Sequence, residues 1–195
     1  ALWGLQSLGL FKDQADVDAS PKSSYSTVQP GDIKYVDQNK DGVIDSKDFV
    51  VLGRGRALWN IGINFTAKWK GFTLFALLTG NFGGMGVKNN SYYWVYGDGK
   101  YSEVVRGRWT PETAETATYP RLTTSTTAGN NFQTSDYWTY STDRIDLGRV
   151  QLTYDLPKSL FNSNTVIKGM SVYFLGQSLL TIAGEREYME MNVGS

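Results

Sequence analysis

The clearest hydrophobic pattern in the chain is an alternation that runs from residue 60 to residue 69. Small or polar side chains occupy every second position, namely Asn60, Gly62, Asn64, Thr66 and Lys68. Apolar side chains stand between them, namely Ile61, Ile63, Phe65, Ala67 and Trp69. A period of two predicts a β-strand with one apolar face and one polar face.

A tight turn is predicted at Lys70-Gly71, after which residues 72–80 return as a second strand that is apolar on both faces. Trp69 and Phe72 flank this turn, at the level where a membrane barrel carries a girdle of aromatic residues. A hairpin of a soluble β-sandwich has the same pattern. Periodicity alone therefore leaves both alternatives open.

Two further strands are predicted at about 144–154 and 170–182. The apolar positions of the first are Ile145, Leu147, Val150, Leu152 and Tyr154. Their phase changes after Leu147, and this change predicts a β-bulge near Gly148.

The loops between the predicted strands differ greatly in length. The turn at 70–71 and the connection at 157–169 would lie at one end of the strands, and the long insertion 81–142 at the other. Outer-membrane barrels have this asymmetry, with long loops outside. The aromatic density of the insertion indicates an ordered loop. Its Trp and Tyr side chains would suit stacking on sugar or peptide, although packing within the loop is the simpler explanation.

Residues 37–48 read DQNKDGVIDSKD, which has the spacing of an EF-hand calcium loop. Such a loop takes oxygen ligands from its first, third, fifth, seventh, ninth and twelfth positions, and it has glycine at the sixth. Gly42 occupies the sixth position here. The predicted ligands are Asp37, Asn39, Asp41, Val43 through its main-chain carbonyl, Asp45 and Asp48.

The loop departs from the EF-hand pattern at its last position, where Asp48 stands in place of the longer Glu that normally binds through both oxygens. The shorter side chain is typical of a dockerin-like loop or of a weaker site. A turn without an ion is the alternative, because Asx residues and glycine favour turns by themselves. The flanking segments 33–36 and 49–52 are strand-like, which argues against the helix pair of a calcium sensor and favours a structural role.

Composition narrows the class of protein. The 195 residues contain 14% aromatic and only 19% charged residues, with 21 glycines, which favours an all-β chain with long loops. Lys plus Arg and Asp plus Glu are 19 each, so no basic surface for a nucleic acid is predicted. The absence of Cys and His excludes disulfides, His-ligated zinc and the triads that use these residues.

An enzyme is not predicted. Four loop carboxylates could in principle form a glycosidase pair, namely Glu103, Glu112, Asp136 and Asp143. Their spacing gives no support for that role over the ordinary one of solvated surface groups.

Several segments together carry a family resemblance. They are GDIKYVD at 31–37, RWTPE at 108–112, YPRL at 119–122, SDYW at 135–138, the strand and PKSL at 147–160, and VYFLGQSLLT at 172–181. In this order they resemble the late region of TonB-dependent outer-membrane transporters of the SusC/RagA type. The pair Gln177-Ser178 departs from the common Gln-Asn of that family.

The resemblance implies the C-terminal part of a large antiparallel transmembrane β-barrel in the cell outer membrane, with long extracellular loops. It implies import of oligosaccharides or oligopeptides together with a SusD-like surface lipoprotein. The TonB complex would act through an N-terminal part that these residues do not include, so we expect the chain to be a fragment. Residues 1–36 would then be an extracellular segment that leads into a strand, 37–48 an extracellular calcium loop, and 49–195 the region of the barrel strands.

A soluble calcium-dependent β module that binds carbohydrate or protein is the alternative function. It predicts a monomer that is stable in plain buffer and whose glycan affinity disappears with EDTA. An importer instead predicts a protein held in the outer membrane beside a lipoprotein.

Overall fold

The computed structural model describes residues 1–97, 101–124, 129–161, 166 and 169–191. Parts of the predicted insertion, of the 157–169 connection and of the tail lie outside these residues. The chain divides into two compact units. The loop unit comprises Ala1–Gly55, Met85–Tyr140 and Glu187–Ser195, and the strand unit comprises Arg56–Gly84 and Ser141–Arg186.

The described residues are rich in strands and contain few helices. The elements are, in chain order, β1 (Leu2–Gly4), β2 (Ser7–Leu10), α1 (Gln14–Asp18), β3 (Lys22–Ser23), β4 (Ile33–Tyr35), β5 (Val43–Ile44), β6 (Val50–Gly53), β7 (Trp59–Trp69), β8 (Phe72–Phe82), β9 (Met85–Val87), β10 (Thr139–Ser141), β11 (Arg144–Asp155), β12 (Ser171–Ala183) and α2 (Arg186–Met191). Neither helix in this part of the chain has the length and apolar character that crossing a membrane requires.

The loop unit is made of short strands that pair two by two. β1 pairs with β6 and β2 with β4, both antiparallel, β9 pairs with β10, and β3 runs parallel to β5. Strands this short bury little surface by themselves, so a shared core must hold them together. That core consists of Leu5, Ile33, Tyr35, Ile44, Tyr93, Val95, Val105, Tyr119, Phe132 and Trp138.

Aromatic residues of the predicted insertion supply four of these ten core residues. Trp138 is 3% exposed, and its ring lies 5.8 Å from that of Tyr119, edge to face. Tyr93 and Phe132 are each 4% exposed. Edge-to-face and tilted ring pairs stabilise a core beyond the area that they bury. For these residues the simpler expectation, packing within the loop, describes what the structure shows.

The strand unit contains one antiparallel sheet of four long strands, in the order β12-β11-β8-β7. The tight turn predicted between β7 and β8 is confirmed, because Trp69 pairs with Phe72 across it. Lys70 has a φ of 44° and Gly71 a φ of 87°. Two successive positive φ values are those of a type I′ turn, whose twist matches the right-handed twist of the strands.

The predicted bulge at Gly148 is also confirmed. Leu147 pairs with Leu78 of β8 and Arg149 pairs with Leu77, so Gly148 has no partner of its own in that ladder. The register to β12 shifts at the same place. One extra residue changes the phase of side chains along β11, and therefore the apolar positions before and after it lie on the same face.

Candidate functional site

The loop at residues 37–48 is held together by its own carboxylate and amide side chains. Asp37 accepts the Lys40 N–H at Oδ1 (2.7 Å) and the Gly42 N–H at Oδ2 (2.8 Å). Asp41 Oδ1 accepts the Val43 N–H at 2.9 Å. Gly42 has a φ of 84°, which favours glycine. The sequence therefore folds here into successive Asx turns around the sixth-position glycine.

Asp48 closes the loop from inside. Its side chain is fully buried, and it accepts the Gln38 N–H at Oδ1 (2.8 Å) and the Asp45 N–H at Oδ2 (2.9 Å). Asp45 in turn accepts the Lys47 N–H at 2.7 Å, which completes a reciprocal cap of the short 3-10 turn Ser46–Asp48. The last predicted ligand thus connects the two ends of the loop.

Lys47 supplies positive charge to the predicted ligands. Its Nζ lies 3.4 Å from Asp41 Oδ2 and 3.5 Å from Asp45 Oδ2. The negative charge of Asp45 is the main cause of the raised pKa of Lys47. Hydrogen bonding by Asn39, and then by the Val43 N–H, lowers the pKa of Asp41. An ammonium group therefore already offsets part of the negative charge of these two carboxylates.

The donor set fits a hard divalent cation in kind. Each carboxylate oxygen that accepts one N–H keeps a second lone pair, and oxygen is what calcium prefers. The parallel pairing with β3 uses the carbonyls of Gly42 and Ile44, on either side of Val43. In the described part of the chain no three carboxylates come together in a group that could hold a metal by themselves. The predicted set contains four carboxylates, so no three of these four come together in this structure; the four are Asp37, Asp41, Asp45 and Asp48.

The second candidate surface is one face of the four-stranded sheet. Pairing registers bring most apolar residues of the four strands onto this face, whereas Phe75, Leu77 and Leu175 lie on the opposite one. They are Trp59, Ile61, Ile63, Phe65, Ala67 and Trp69 from β7; Phe72, Leu74, Ala76, Leu78 and Phe82 from β8; Ile145, Leu147, Val150, Leu152 and Tyr154 from β11; and Val172, Phe174, Leu180 and Ile182 from β12. We call this set the apolar sheet face.

The apolar sheet face is open to its surroundings. Ile63 is 57% exposed, Trp69 is 68% exposed and Phe174 is 80% exposed. Monomeric soluble proteins rarely expose a contiguous apolar patch of this kind, so it marks contact with a membrane or a partner.

Aromatic residues stand at both ends of the apolar sheet face. Trp69 pairs with Phe72 at the turn, and the Phe72 ring lies 4.4 Å from that of Tyr154. Trp59 pairs with Phe82 at the far end of the same strands. At about 3.3 Å per residue the two ends of β7 are about 33 Å apart. With the strand tilt of a membrane barrel, that length corresponds to an apolar band about 25 Å tall.

The opposite face of the sheet is largely polar. Arg149 donates to Gln151 (Nη2 to Oε1, 2.6 Å), and Gln151 donates to Thr153 (Nε2 to Oγ1, 3.0 Å). Thr181 of β12 donates to Asp146 of β11 at 2.6 Å. These side chains satisfy one another along and across the strands. The sheet therefore has one face suited to lipid and one suited to water.

The four carboxylates considered as a glycosidase pair have local roles. Asp136 accepts the Ser7 N–H at 2.7 Å, and Asp143 accepts the Gly83 N–H at 2.6 Å. The other two carboxylates, Glu103 and Glu112, are exposed on short 3-10 turns. Nothing in these contacts resembles the geometry of a catalytic pair.

Sequence reasoning missed a buried polar cluster in the loop unit. Asp32 is 2% exposed and lies opposite Arg121, with 2.7 Å between Oδ1 and Nε. Asn131 donates to the same Asp32 Oδ1 at 2.8 Å. These residues are about ninety positions apart in the chain, so no local spacing could have identified them.

Comparison with known proteins agrees with the fold and the apolar sheet face. TonB-dependent receptor P26 of Formosa agariphila is 30% identical over 180 residues, which are 91% of this chain and 18% of that receptor. The chain is a relative of TonB-dependent receptors. The resemblance to TonB-dependent transporters drawn from the sequence motifs is thereby confirmed. No family model matches the chain.

Solved structures support the same relationship at the level of the fold. The RagAB peptide transporter matches with a TM-score of 0.68 and 21% identity over 95% of this chain and 19% of its own. The RagAB peptide importer in its open-open state matches with a TM-score of 0.64, again at 21% identity and with the same two coverages. The chain therefore spans about a fifth of the length of the proteins that it resembles.

Proposed function

We propose that the protein is part of a TonB-dependent importer of the outer membrane, in which the apolar sheet face contacts lipid. One observation carries this proposal, namely the exposed apolar surface of four long antiparallel strands with aromatic residues at both ends. Such a surface needs either lipid or a large partner to cover it. A TonB-dependent receptor among the relatives favours lipid, with strands like these forming a segment of a large closed barrel.

The proposed cargo is an oligopeptide or an oligosaccharide. RagAB, whose fold this chain shares, is a peptide importer, which favours a peptide. We further propose that import needs a SusD-like surface lipoprotein and energy from the TonB complex, through a part of the protein outside these residues. In this proposal the protein binds and moves its cargo without chemical change.

Membrane fractionation tests the location. The protein should stay with the outer membrane through washes with urea and carbonate, and a mild detergent should release it. Affinity purification from that extract should bring down a surface lipoprotein. Recovery in the periplasm without detergent would contradict the proposal, and would favour the soluble calcium-dependent module instead.

Uptake assays test the cargo. Cells should take up labelled oligopeptides or oligosaccharides only when they contain both the protein and an active TonB complex. Deleting the gene should abolish uptake of one of the two cargo classes and leave the other unchanged. If the deletion strain took up both classes as well as the parent strain does, the import role would be contradicted.

We also propose that calcium binds at residues 37–48 and stabilises the loop. Asp37, Asn39, Asp41, Asp45 and Asp48 would supply side-chain oxygens, with the Val43 carbonyl as a further ligand. The ion would contribute positive charge and hold the loop's two ends together. The Asx turns support this because they hold residues 37–43 in the sharp turn at Gly42 that such a loop requires.

Calcium titration of the purified protein tests the site. The Asp37→Ala, Asp41→Ala double variant should lose most of its affinity, and Lys47→Ala should gain affinity because a competing ammonium is removed. Asp18→Ala is the matched control, since Asp18 is an exposed acid on α1 outside the loop. Unchanged affinity in the double variant would remove Asp37 and Asp41 as ligands.

A further inference from the structure

A cavity of about 220 Å³ lies in the loop unit beside the buried polar cluster. Its walls include Asp32, Arg121, Asn130, Ser26 and Thr27, and the Phe132 ring provides an apolar side. The volume is about that of seven water molecules, enough for one end of a chain molecule rather than for a whole oligomer. Neither the calcium loop nor the apolar sheet face includes this cavity.

The buried cluster fixes the position of Arg121 in the cavity wall. The guanidinium forms an ion pair with Asp32, with Nε 2.7 Å from Oδ1, and Nη2 donates to Oδ2 at 3.4 Å. Asp32 also accepts hydrogen bonds from the Gln29 N–H (2.8 Å) and from the Asn131 side-chain amide (2.8 Å). An ion pair and a hydrogen bond to one buried carboxylate restrict the rotation of this planar group.

The other edge of the guanidinium remains available. Asp32 accepts one N–H of Nη2, its 2.7 Å contact with Nε is an ion pair without hydrogen-bond geometry, and Nη1 has no hydrogen-bond partner among the described residues. Nη1 and the second N–H of Nη2 form the end-on pair of donors, a fork that matches the two oxygens of a carboxylate. Ser26 Oγ accepts the Asn130 N–H at 3.0 Å, which leaves its own hydroxyl hydrogen to donate into the cavity. Arg121 and Ser26 can therefore both donate to a ligand in the cavity.

We propose that this cavity binds the carboxylate of a ligand, with the end-on edge of Arg121 as the main anchor and Ser26 as an additional donor. Two sources share this chemistry, namely the C-terminus of a peptide and the carboxylate of an acidic sugar. As a place for the end of an imported oligomer, the assignment rests on the proposed function. As a carboxylate-binding pocket, it stands on the geometry alone.

Binding to the purified detergent-solubilised protein tests the proposal without transport. Calorimetry would compare trialanine with trialanine amide, and glucuronate with glucose. We expect each acid that binds to do so at least about tenfold more tightly than its neutral counterpart, because hydrogen bonds to a charged group are lost in the latter. Binding by trialanine alone identifies a peptide end, and binding by glucuronate alone identifies an acidic sugar. Equal binding of acid and neutral partner, or no binding of either acid, would overturn the proposal.

Two variants connect the binding to this cavity. Thr27→Glu places a carboxylate on an exposed part of the wall, where it competes for Arg121, and should reduce binding of the acid at least about tenfold. Thr27→Gln has the same size without the charge and should bind nearly as the unaltered protein does. Arg121→Lys keeps a positive charge opposite Asp32 but loses the fork, so binding should fall while the fold, followed by circular dichroism, is retained. Equal affinity in Thr27→Glu and Thr27→Gln would place the ligand elsewhere. If import fails while these results hold, the pocket stands and only its place in import falls.

Discussion

The loop unit and the strand unit use the same residue class in opposite ways. Trp138 of the loop unit is 3% exposed, within a core of aromatic rings, whereas Trp69 of the strand unit is 68% exposed at the end of a sheet. The first arrangement is what water selects, because water drives apolar rings inward. The second is stable only where the surroundings are themselves apolar or interfacial. Aromatic content therefore does not identify the solvent of a unit, whereas the direction of its aromatic side chains does.

The two units also satisfy their backbones differently. The sheet pairs strands of 11 to 13 residues in long ladders, so each strand is supported along its whole length. Strands in the loop unit are 2 to 4 residues long, and side chains supply some of the hydrogen bonds to their backbones. Asn131 Oδ1 accepts the Ile33 N–H at 2.8 Å, and Asn130 donates to the Ile33 carbonyl at 2.7 Å. Buried amides thus replace a neighbouring strand.

The largest effect should come from emptying the core of the loop unit. Trp138→Ala should reduce the free energy of unfolding of this unit by about 3–5 kcal/mol, since a buried indole leaves a cavity. Hydrogen exchange of the loop-unit amides measures this change. Trp69→Ala is the matched control and should leave those amides unaffected. A similar loss of protection in both variants would mean that the two aromatic groups are not used differently.

The next effect concerns the apolar sheet face. Ile63→Arg places a charge near the middle of β7 on that face and should cost about 2–4 kcal/mol of membrane insertion. Asn64→Arg places the same charge one residue further on, on the polar face, and should insert almost normally. The amount of each variant in the outer membrane measures the difference. Normal insertion of Ile63→Arg would show that this face does not meet lipid.

A smaller effect is expected from a single buried hydroxyl. Tyr119 donates to the Tyr93 carbonyl at 2.7 Å and accepts the Val95 N–H at 3.2 Å. Tyr119→Phe removes both hydrogen bonds from the core and should cost about 1–2 kcal/mol in the loop unit. Tyr154→Phe, on the apolar sheet face, is the control with little expected change. Thermal unfolding followed by near-UV circular dichroism distinguishes the two.

The smallest effect is a surface ion pair of the loop unit. The hydrogen bond from Lys34 to Asp16, 2.7 Å long, is the main cause of the lowered pKa of Asp16. A lowered pKa in the folded state stabilises the unit above about pH 4, and the contribution disappears as the pH falls through the folded value. Asp16→Asn should remove this dependence and cost less than about 1 kcal/mol at pH 7. Unfolding curves measured from pH 2 to pH 6 give the free energy of unfolding at each pH. The same dependence of this free energy on pH in both proteins would contradict the prediction.

The strand unit was largely predictable from the sequence because its signals are local. The alternation in β7, the turn at Lys70-Gly71 and the phase change at Gly148 all follow from neighbouring residues. The expected ranges 60–69 and 72–80 compare with Trp59–Trp69 and Phe72–Phe82 in the structure. Each of these features depends on a period of two and on steric limits of a few residues.

The loop unit was predictable only where its chemistry is contained in one short segment. The predicted metal ligands of residues 37–48 lie in such a segment, and their role stays a prediction. The pairing of β1 with β6 joins residues about fifty positions apart, and β3 runs parallel to β5. Such pairings, like that of Asp32 with Arg121, depend on which distant segments meet in the core, and a single sequence gives no period that reveals this.

The bulge at Gly148 has a consequence for how β11 tolerates changes in length. Deleting this one glycine would invert the side chains from Arg149 to Asp155. Charged and amide side chains would then turn toward the apolar sheet face, and Val150, Leu152 and Tyr154 would turn toward the polar face. A residue added to or lost from a surface connection shifts nothing beyond that connection. Within this strand the count of residues is as strictly constrained as their identity.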